Sequence, residues 1–338
     1  MIRRSRLRTA ALLAALACAP HIGMASEPRS VKRVVIFPWE GPESVLRPAK
    51  KSVLVGWFAE LGLVEGRDYI FEYEPVATIN ADLRRRAKAL VASGPAVIVL
   101  NNDLVMEFKP LTSTIPLVFY GFPGDPVRSG LVESLRQPGG NVTGTADFSF
   151  GLCAKTWELL KELRPGMTRI GAVFDEGYNR SPQIFESIRE AQAATARRLG
   201  IARLEIVLPM NASASFVEHA VRANGIQAAD VALSEEKDVA WSETLKGLLE
   251  KARIPAVWDT ESHVVRGGLL AMEPTGGGGE LVREAIRIAA LIVKGSSPGE
   301  IPVYEPKSWR LAINLRTAGA MGLEVPPGVL IRAGRVVR

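Results

Sequence analysis

The sequence predicts an α/β fold built as two lobes around a central cleft. A chain of 338 residues exceeds one ordinary domain and matches two α/β lobes of roughly 130–150 residues each. Short apolar runs alternate with longer amphipathic ones from Val34 nearly to Ala271, which is the signature of repeated βα units and a parallel sheet. The order strand, helix, strand, helix, strand also occurs twice, starting near Val34 and again near Ile170. Two similar Rossmann-like lobes follow from that duplication, each an open sheet covered by helices on both faces.

The first 25 residues read differently from the rest. Arg3, Arg4, Arg6 and Arg8 make a basic start, Ala10 to Ala19 a short apolar run, and Gly23-Met24-Ala25 ends on small residues. This is the layout of a secretory signal peptide, with cleavage expected after Ala25 and an apolar run too short to span a bilayer as a stable helix. Cys18 raises a lipoprotein alternative, but Ala15-Leu16-Ala17-Cys18 places the leucine one position too late for the usual lipobox. Export to the periplasm is therefore expected, with lipidation the lesser reading.

Strands are expected at Val34–Phe37, Tyr69–Tyr73, Val97–Leu100 and Leu117–Tyr120, then at Ile170–Phe174, Leu204–Leu208, Val231–Leu233 and Ala256–Trp258. Helical periodicity falls between them at Ser44–Leu61, Ala81–Ala92, Leu152–Leu163, Pro182–Leu199, Ala214–Ala223 and Trp241–Ala252. Pro138-Gly139-Gly140-Asn141 is a turn-rich break and the expected first crossing between lobes. After Gly267-Gly268 the chain runs through a four-glycine stretch into a helix at Glu280–Val293, then a last strand at 309–315 and a short helix at Arg316–Met321, with the final eight residues expected to be loosely held. Lobe 1 is expected to comprise residues 31–145 with about 274–305, and lobe 2 residues 146–273 with about 306–338.

Composition narrows the function. Loss of the leader removes four arginines and no acids, so the formal charge of +6 falls to +2. The one dense basic cluster, Arg84-Arg85-Arg86 with Lys88, lies on an expected helix, a solvated face rather than a nucleic-acid footprint. Cys153 would be the sole remaining cysteine, excluding an internal disulfide, and its place beside Trp157 and Leu160 on a helical pattern reads as a buried, inert thiol. His219 and His263 belong to no metal or triad motif. Gly295-Ser296-Ser297-Pro298-Gly299 fits the string of a nucleophile elbow but follows a helix, not a strand. Gly276–Gly279 lacks the residues of a nucleotide-binding loop. No catalytic residue, metal site or cofactor is expected.

Open parallel sheets bind ligands beyond the carboxyl ends of their strands. Those ends carry Trp39, Glu40, Asn101, Asn102, Asp103, Tyr120, Gly121 and Asp125 in the first half, and Glu176, Tyr178, Asn179, Ser234, Asp259, Glu261 and Glu273 in the second. Aromatic rings there supply apolar walls, and amides and carboxylates orient a polar ligand. The excess of acids points to a cationic group on that ligand, with Asp259 or Glu261 pairing an ammonium.

Several ordered stretches resemble a known family. Ile115-Pro116-Leu117-Val118-Phe119, Gly124-Asp125-Pro126-Val127, Ser129-Gly130-Leu131-Val132 and Pro138-Gly139-Gly140-Asn141-Val142-Thr143-Gly144 are followed by Lys155 through Pro165. Later come Gly267-Gly268-Leu269-Leu270, Lys294-Gly295 with Pro298, Ile301-Pro302-Val303, Ile313-Asn314-Leu315-Arg316-Thr317-Ala318, and Gly322-Leu323 with Pro326-Pro327. In order and spacing these are similar to the bacterial ABC-transporter substrate-binding proteins of periplasmic-binding type I fold whose better-understood members bind tryptophan or tyrosine. The resemblance covers nearly all of Val31 to Arg335 and implies a periplasmic solute-binding component of an uptake transporter. Such a protein closes by hinge motion on a small polar or amino-acid-like molecule and hands it, as a monomer, to an inner-membrane ABC permease. Departures fall where ligand would sit: Asn101-Asn102-Asp103-Leu104, Asp175-Glu176-Gly177-Tyr178 and Ala271-Met272-Glu273-Pro274 replace the family's usual turns. The alternative from another class is a sensor subunit that passes its ligand signal to a membrane signalling protein; an enzyme on a similar frame lacks motif support.

Overall fold

The computed structural model describes residues 30–37, 46, 48–74, 81–101, 104–147, 149–176, 182–209, 212–233 and 239–338. The leader, its cleavage site and Cys18 lie outside the described residues. Along the chain, β1 (Lys32–Ile36), α1 (Lys51–Ala59), β2 (Tyr69–Tyr73), α2 (Ala81–Ala92), β3 (Val97–Asn101), α3 (Leu104–Phe108), β4 (Leu117–Phe122) and β5 (Val142–Ala146) come first. Then follow α4 (Cys153–Leu163), β6 (Arg169–Asp175), α5 (Pro182–Leu199), β7 (Ala202–Leu208), α6 (Ala214–Ala223), β8 (Ala228–Ala232), α7 (Val239–Lys251), β9 (Ala256–Trp258) and α8 (Glu261–Val265). The chain ends in β10 (Leu270–Pro274), α9 (Gly277–Lys294), β11 (Trp309–Asn314), α10 (Leu315–Ala320), α11 (Pro327–Arg332) and β12 (Ala333–Val337).

These strands form two sheets. The first has the order β2-β1-β3-β4-β5, all parallel. Its alternating side chains divide between two layers, as a strand period of two requires. Val34, Ile36, Val97, Val99, Val118 and Tyr120 face α1 and α9, while Val35, Phe37, Ile98, Leu100, Leu117 and Phe119 face α2 and α3. The second sheet has the order β12-β11-β10-β9-β8-β6-β7. Ile170, Ala228 and Val257 in it pack with Trp157 of α4, and Val173, Val231, Ala256 and Trp258 face α6 and α7. Cys153 is 6% exposed within the α4 layer, and its Sγ lies 3.2 Å from Thr195 Oγ1.

The structure corrects four expectations. Pro138–Asn141 does not carry the chain to the other lobe, because it leads into β5, a fifth strand of the first sheet. That strand, Val-Thr-Gly-Thr-Ala, was illegible because its Gly144 is set by a close approach: a Cβ there would stand 2.0 Å from the Phe119 carbonyl oxygen. The helix expected from Glu280 starts at Gly277. Parallel pairing is broken where β10 meets β11 antiparallel. The last residues are not loose, since β12 pairs in parallel with β11 at the sheet edge.

Candidate ligand-binding site

The carboxyl ends of the first sheet place Asn101 and Tyr120 side by side, as register partners on β3 and β4. Tyr120 is 5% exposed and its hydroxyl donates to the Phe37 carbonyl at 3.0 Å, so this ring braces β4 against the end of β1. Gly121, at φ 62°, donates its N–H to Thr145 Oγ1 at 3.2 Å, which ties the end of β4 to β5. Asp125 caps the following turn, accepting from the N–H groups of Val127 at 2.9 Å and Arg128 at 3.2 Å. Trp39, Glu40, Asn102, Asp103, Tyr178, Asn179 and Ser234 lie outside the described residues. Glu176 is exposed just beyond β6.

The acids of the second sheet divide into two kinds. Glu261, at the start of α8, lies 2.7 Å from Arg310 and 3.3 Å from Arg335. Glu273, on β10, accepts from the Glu261 N–H at 3.1 Å and lies 3.5 Å from Arg310. Burial pushes the Glu273 carboxyl up. Both acids therefore serve an internal ion network spanning β10, β11, β12 and α8.

Asp259, directly after β9, is different. Its side chain is 31% exposed, yet its Oδ1 is buried and has no hydrogen-bond partner among the described residues. His263 Nε2 lies 3.5 Å from that oxygen, beyond a good hydrogen bond. Burial, with the nearby charges of Asp147 and Asp230 adding to it, pushes the Asp259 carboxyl up to about 7. His263 stacks on Trp258 with centroids 5.0 Å apart. Burial, and then the charges of Lys246 and Arg266, hold its imidazole down at about 4. The histidine is therefore neutral near pH 7 and does not neutralise Asp259.

One acid escaped the strand-end reading. Asp230 lies in the middle of β8, where the run Ala228-Ala229-Asp230 lacks the branched residues that advertise a strand. Its Oδ2 accepts from Trp157 Nε1 at 2.7 Å and Gln192 Nε2 at 3.2 Å. Gln192 Oε1 in turn accepts from Arg203 Nε at 2.9 Å. Burial raises the Asp230 carboxyl above the usual range. A lone carboxylate within an alanine-rich strand is the signal that could have found it.

The family profile described as ABC transporter substrate binding protein matches residues 49–337. A tyrosine-binding protein of Clostridioides difficile is 27% identical over 219 residues. That match spans 63% of this chain and 59% of the relative, so less than two thirds of the relative's length is matched. A solved conserved domain protein of Vibrio cholerae O1 biovar El Tor superposes with a TM-score of 0.73 at 26% identity, covering 90% of this chain and 99% of that one. An ABC domain from Streptococcus pneumoniae in complex with L-Trp superposes with a TM-score of 0.70 at 23% identity, with the same coverage.

Proposed function

The chain belongs to the ABC transporter substrate-binding protein family, and from that membership we propose that it is the solute-binding component of an uptake system. The family's function is binding rather than catalysis, and its fold is that of the bilobal periplasmic binding proteins. The leader of residues 1–25 would export the protein to the periplasm. There it would work as a monomer, delivering its solute to an inner-membrane permease. No helix among the described residues is long and apolar enough to cross a membrane.

Closure would occur about the segments that join residues 31–145 and about 274–305 to residues 146–273 and about 306–338. Those segments are laced together: Thr275 donates its N–H to the Ser308 carbonyl at 3.0 Å, and Ala146 donates to the Tyr304 carbonyl at 3.0 Å. Gly277, at φ 62°, supplies a turn that other residues adopt at a cost. Two paired connections with a glycine between them favour rotation of whole lobes over local unfolding.

The solute would be a small polar or amino-acid-like molecule carrying an ammonium group. The observation that carries this reading is Asp259, whose buried Oδ1 lacks a hydrogen-bond partner while Glu261 and Glu273 are occupied by arginines. A desolvated carboxylate without a counterion is costly until a cation arrives. Similarity to a tyrosine-binding protein supports including amino acids among the candidates. Mass spectrometry of solutes released on denaturing gently purified protein tests the proposal. A defined ammonium-bearing solute, bound at least about tenfold more weakly by Asp259→Asn in calorimetry, is the expected result. Protein that carries no solute and binds none from a metabolite panel would overturn it.

A further inference from the structure

We propose that Arg310 is a positioning residue of the solute site: it holds the first turn of α8 from outside that helix and so fixes Asp259 in its place. This rests on the reading of Asp259 as the acid that receives the solute's ammonium group.

Asp259 stands between the end of β9 and Thr260, the residue that precedes α8, so its place depends on where α8 begins. With five residues, α8 is too short to hold itself. It also lacks a cap of its own: the Thr260 side chain bonds no helix N–H, and its Oγ1 lies 2.9 Å from Ser262 Oγ. The Glu261 N–H is one of the donors that a helix start leaves over. Glu273 Oε2 accepts it at 3.1 Å from β10, so the turn is capped by a neighbouring strand.

Arg310 secures that cap. It is the register partner of Glu273 across β10 and β11, and its Nη2 lies 3.5 Å from Glu273 Oε1 and 2.7 Å from Glu261 Oε2. With the Glu261 N–H on Glu273, the three residues close a ring in which one guanidinium restrains both the capping carboxylate and the residue it caps. Glu261 and Glu273 otherwise repel, the charge of Glu261 adding to the burial that pushes the Glu273 carboxyl up. Arg335 meets only Glu261, at 3.3 Å, so Arg310 is the cation common to both acids. The strand β12 is shaped to it as well. A Cβ on Gly334 would stand 2.6 Å from Arg310 Cγ and 3.0 Å from Cδ, so a bare backbone at 334 lets the arginine stem lie against the strand.

The groups acting on Asp259 are Asp147 beyond β5, Asp230 on β8 and His263 on α8, the last with Lys246 and Arg266 beside it. Loss of a nearby cation raises a carboxyl, whereas hydration of a buried carboxyl lowers it. Direct charge and placement, the two ways Arg310 could act, therefore move Asp259 in opposite directions.

The first measurement needs no solute. Carbon-13 NMR of protein labelled at the aspartate carboxyls, with the Asp259 signal assigned by Asp259→Asn, should give a titration midpoint at about 7 in the parent. Arg310→Met is expected to bring it to about 6 or below as α8 loosens and water reaches the carboxyl, and Arg310→Lys to recover at least about half of that change. Gly334→Ala keeps every charge but displaces the arginine stem, and should lower the midpoint in the same direction. The second measurement is calorimetry with benzylammonium at pH 8, where Asp259 is largely ionised in parent and variants alike. Arg310→Met should bind at least about threefold more weakly than the parent.

A midpoint that stays or rises in folded Arg310→Met and Gly334→Ala overturns the proposal, because a merely structural contact would lower the melting temperature and leave the carboxyl unmoved. If Arg310→Met does not fold, Gly334→Ala alone decides. Parental benzylammonium affinity in a variant whose midpoint has fallen also overturns it. A midpoint that falls while the parent binds neither benzylammonium nor any co-purified ammonium solute upholds the placement by Arg310 and overturns the solute reading instead.

Discussion

At Asp259 and Cys153 burial is the largest influence on the chemistry of the single residue. The Asp259 carboxyl is raised to about 7 by burial, with like charges contributing, against an ordinary value near 4 in the unfolded chain. A raised acid contributes stability that is fully present below the unfolded value and is lost as pH rises through the folded one. Asp259→Asn should therefore melt at a higher temperature than the parent at pH 8 and near the parent's temperature at pH 4, as calorimetric scans at the two pH values would show. Cation binding has the opposite demand, because it needs the ionised form: parent affinity should fall about tenfold per unit as pH drops below about 7, while the variant's profile is flat across the same range. Cys153 was legible as an inert thiol from its helical neighbours, and burial lifts it to about 11. A thiol reagent at pH 8 should leave native Cys153 unlabelled and modify it fully in denaturant, since the reactive species is the thiolate. Asp230 was not legible, because reading strand ends requires the strand to be placed correctly and β8 begins three residues before the Val231 at which its branched residues suggest a start.

At the level of elements, periodicity succeeded where side chains carry it and failed where tertiary context does. Tyr69–Tyr73, Ala81–Ala92, Pro182–Leu199 and Ala214–Ala223 match their elements end to end, each being a run with a clear period or a clear stop. The misses are short or small-residue pieces. Val142–Ala146 is a strand because it is covered on both faces, and α9 begins within glycines because Glu280 Oε2 accepts the Gly276 N–H at 3.1 Å and stands in for a cap. Ala333–Val337, which by composition is a frayed tail, gains its order from pairing with Leu311, Ala312, Ile313 and Asn314. Removing residues 333–338 would strip that ladder and expose the edge of β11. The truncated protein should melt lower by about 5 °C or more, given roughly 2–4 °C per kcal/mol for domains of this size. An unchanged melting temperature would mean that β12 adds nothing to the sheet.

For the whole molecule, the bilobal plan was visible in the duplicated βα order, whereas the contact between the lobes was not, because it joins residues far apart in sequence. One apolar cluster runs from Phe122, Leu131 and Val132 of the first lobe to Phe174, Phe185 and Ile188 of the second. At its margin Arg128, in the turn capped by Asp125, pairs with Glu190 on α5. Side-chain exposures of 57% and 48% make that pair worth little in isolation, on the order of 0–1 kcal/mol. Its position gives it leverage, because it spans the two bodies whose rotation would govern binding. Arg128→Glu replaces the attraction with two carboxylates facing each other, biasing the lobes apart by a similar small energy. The variant should show a larger radius of gyration by small-angle scattering without solute and about two- to fivefold weaker binding with it, the fold-changes that such an energy produces. Both effects should shrink in about 1 M salt, where the screening length is near 3 Å, and the double variant Arg128→Glu/Glu190→Arg should return both to parental values. Equal scattering curves for parent and single variant at low salt would mean that the apolar cluster alone sets the lobe angle, and that Arg128 and Glu190 are bystanders at its edge.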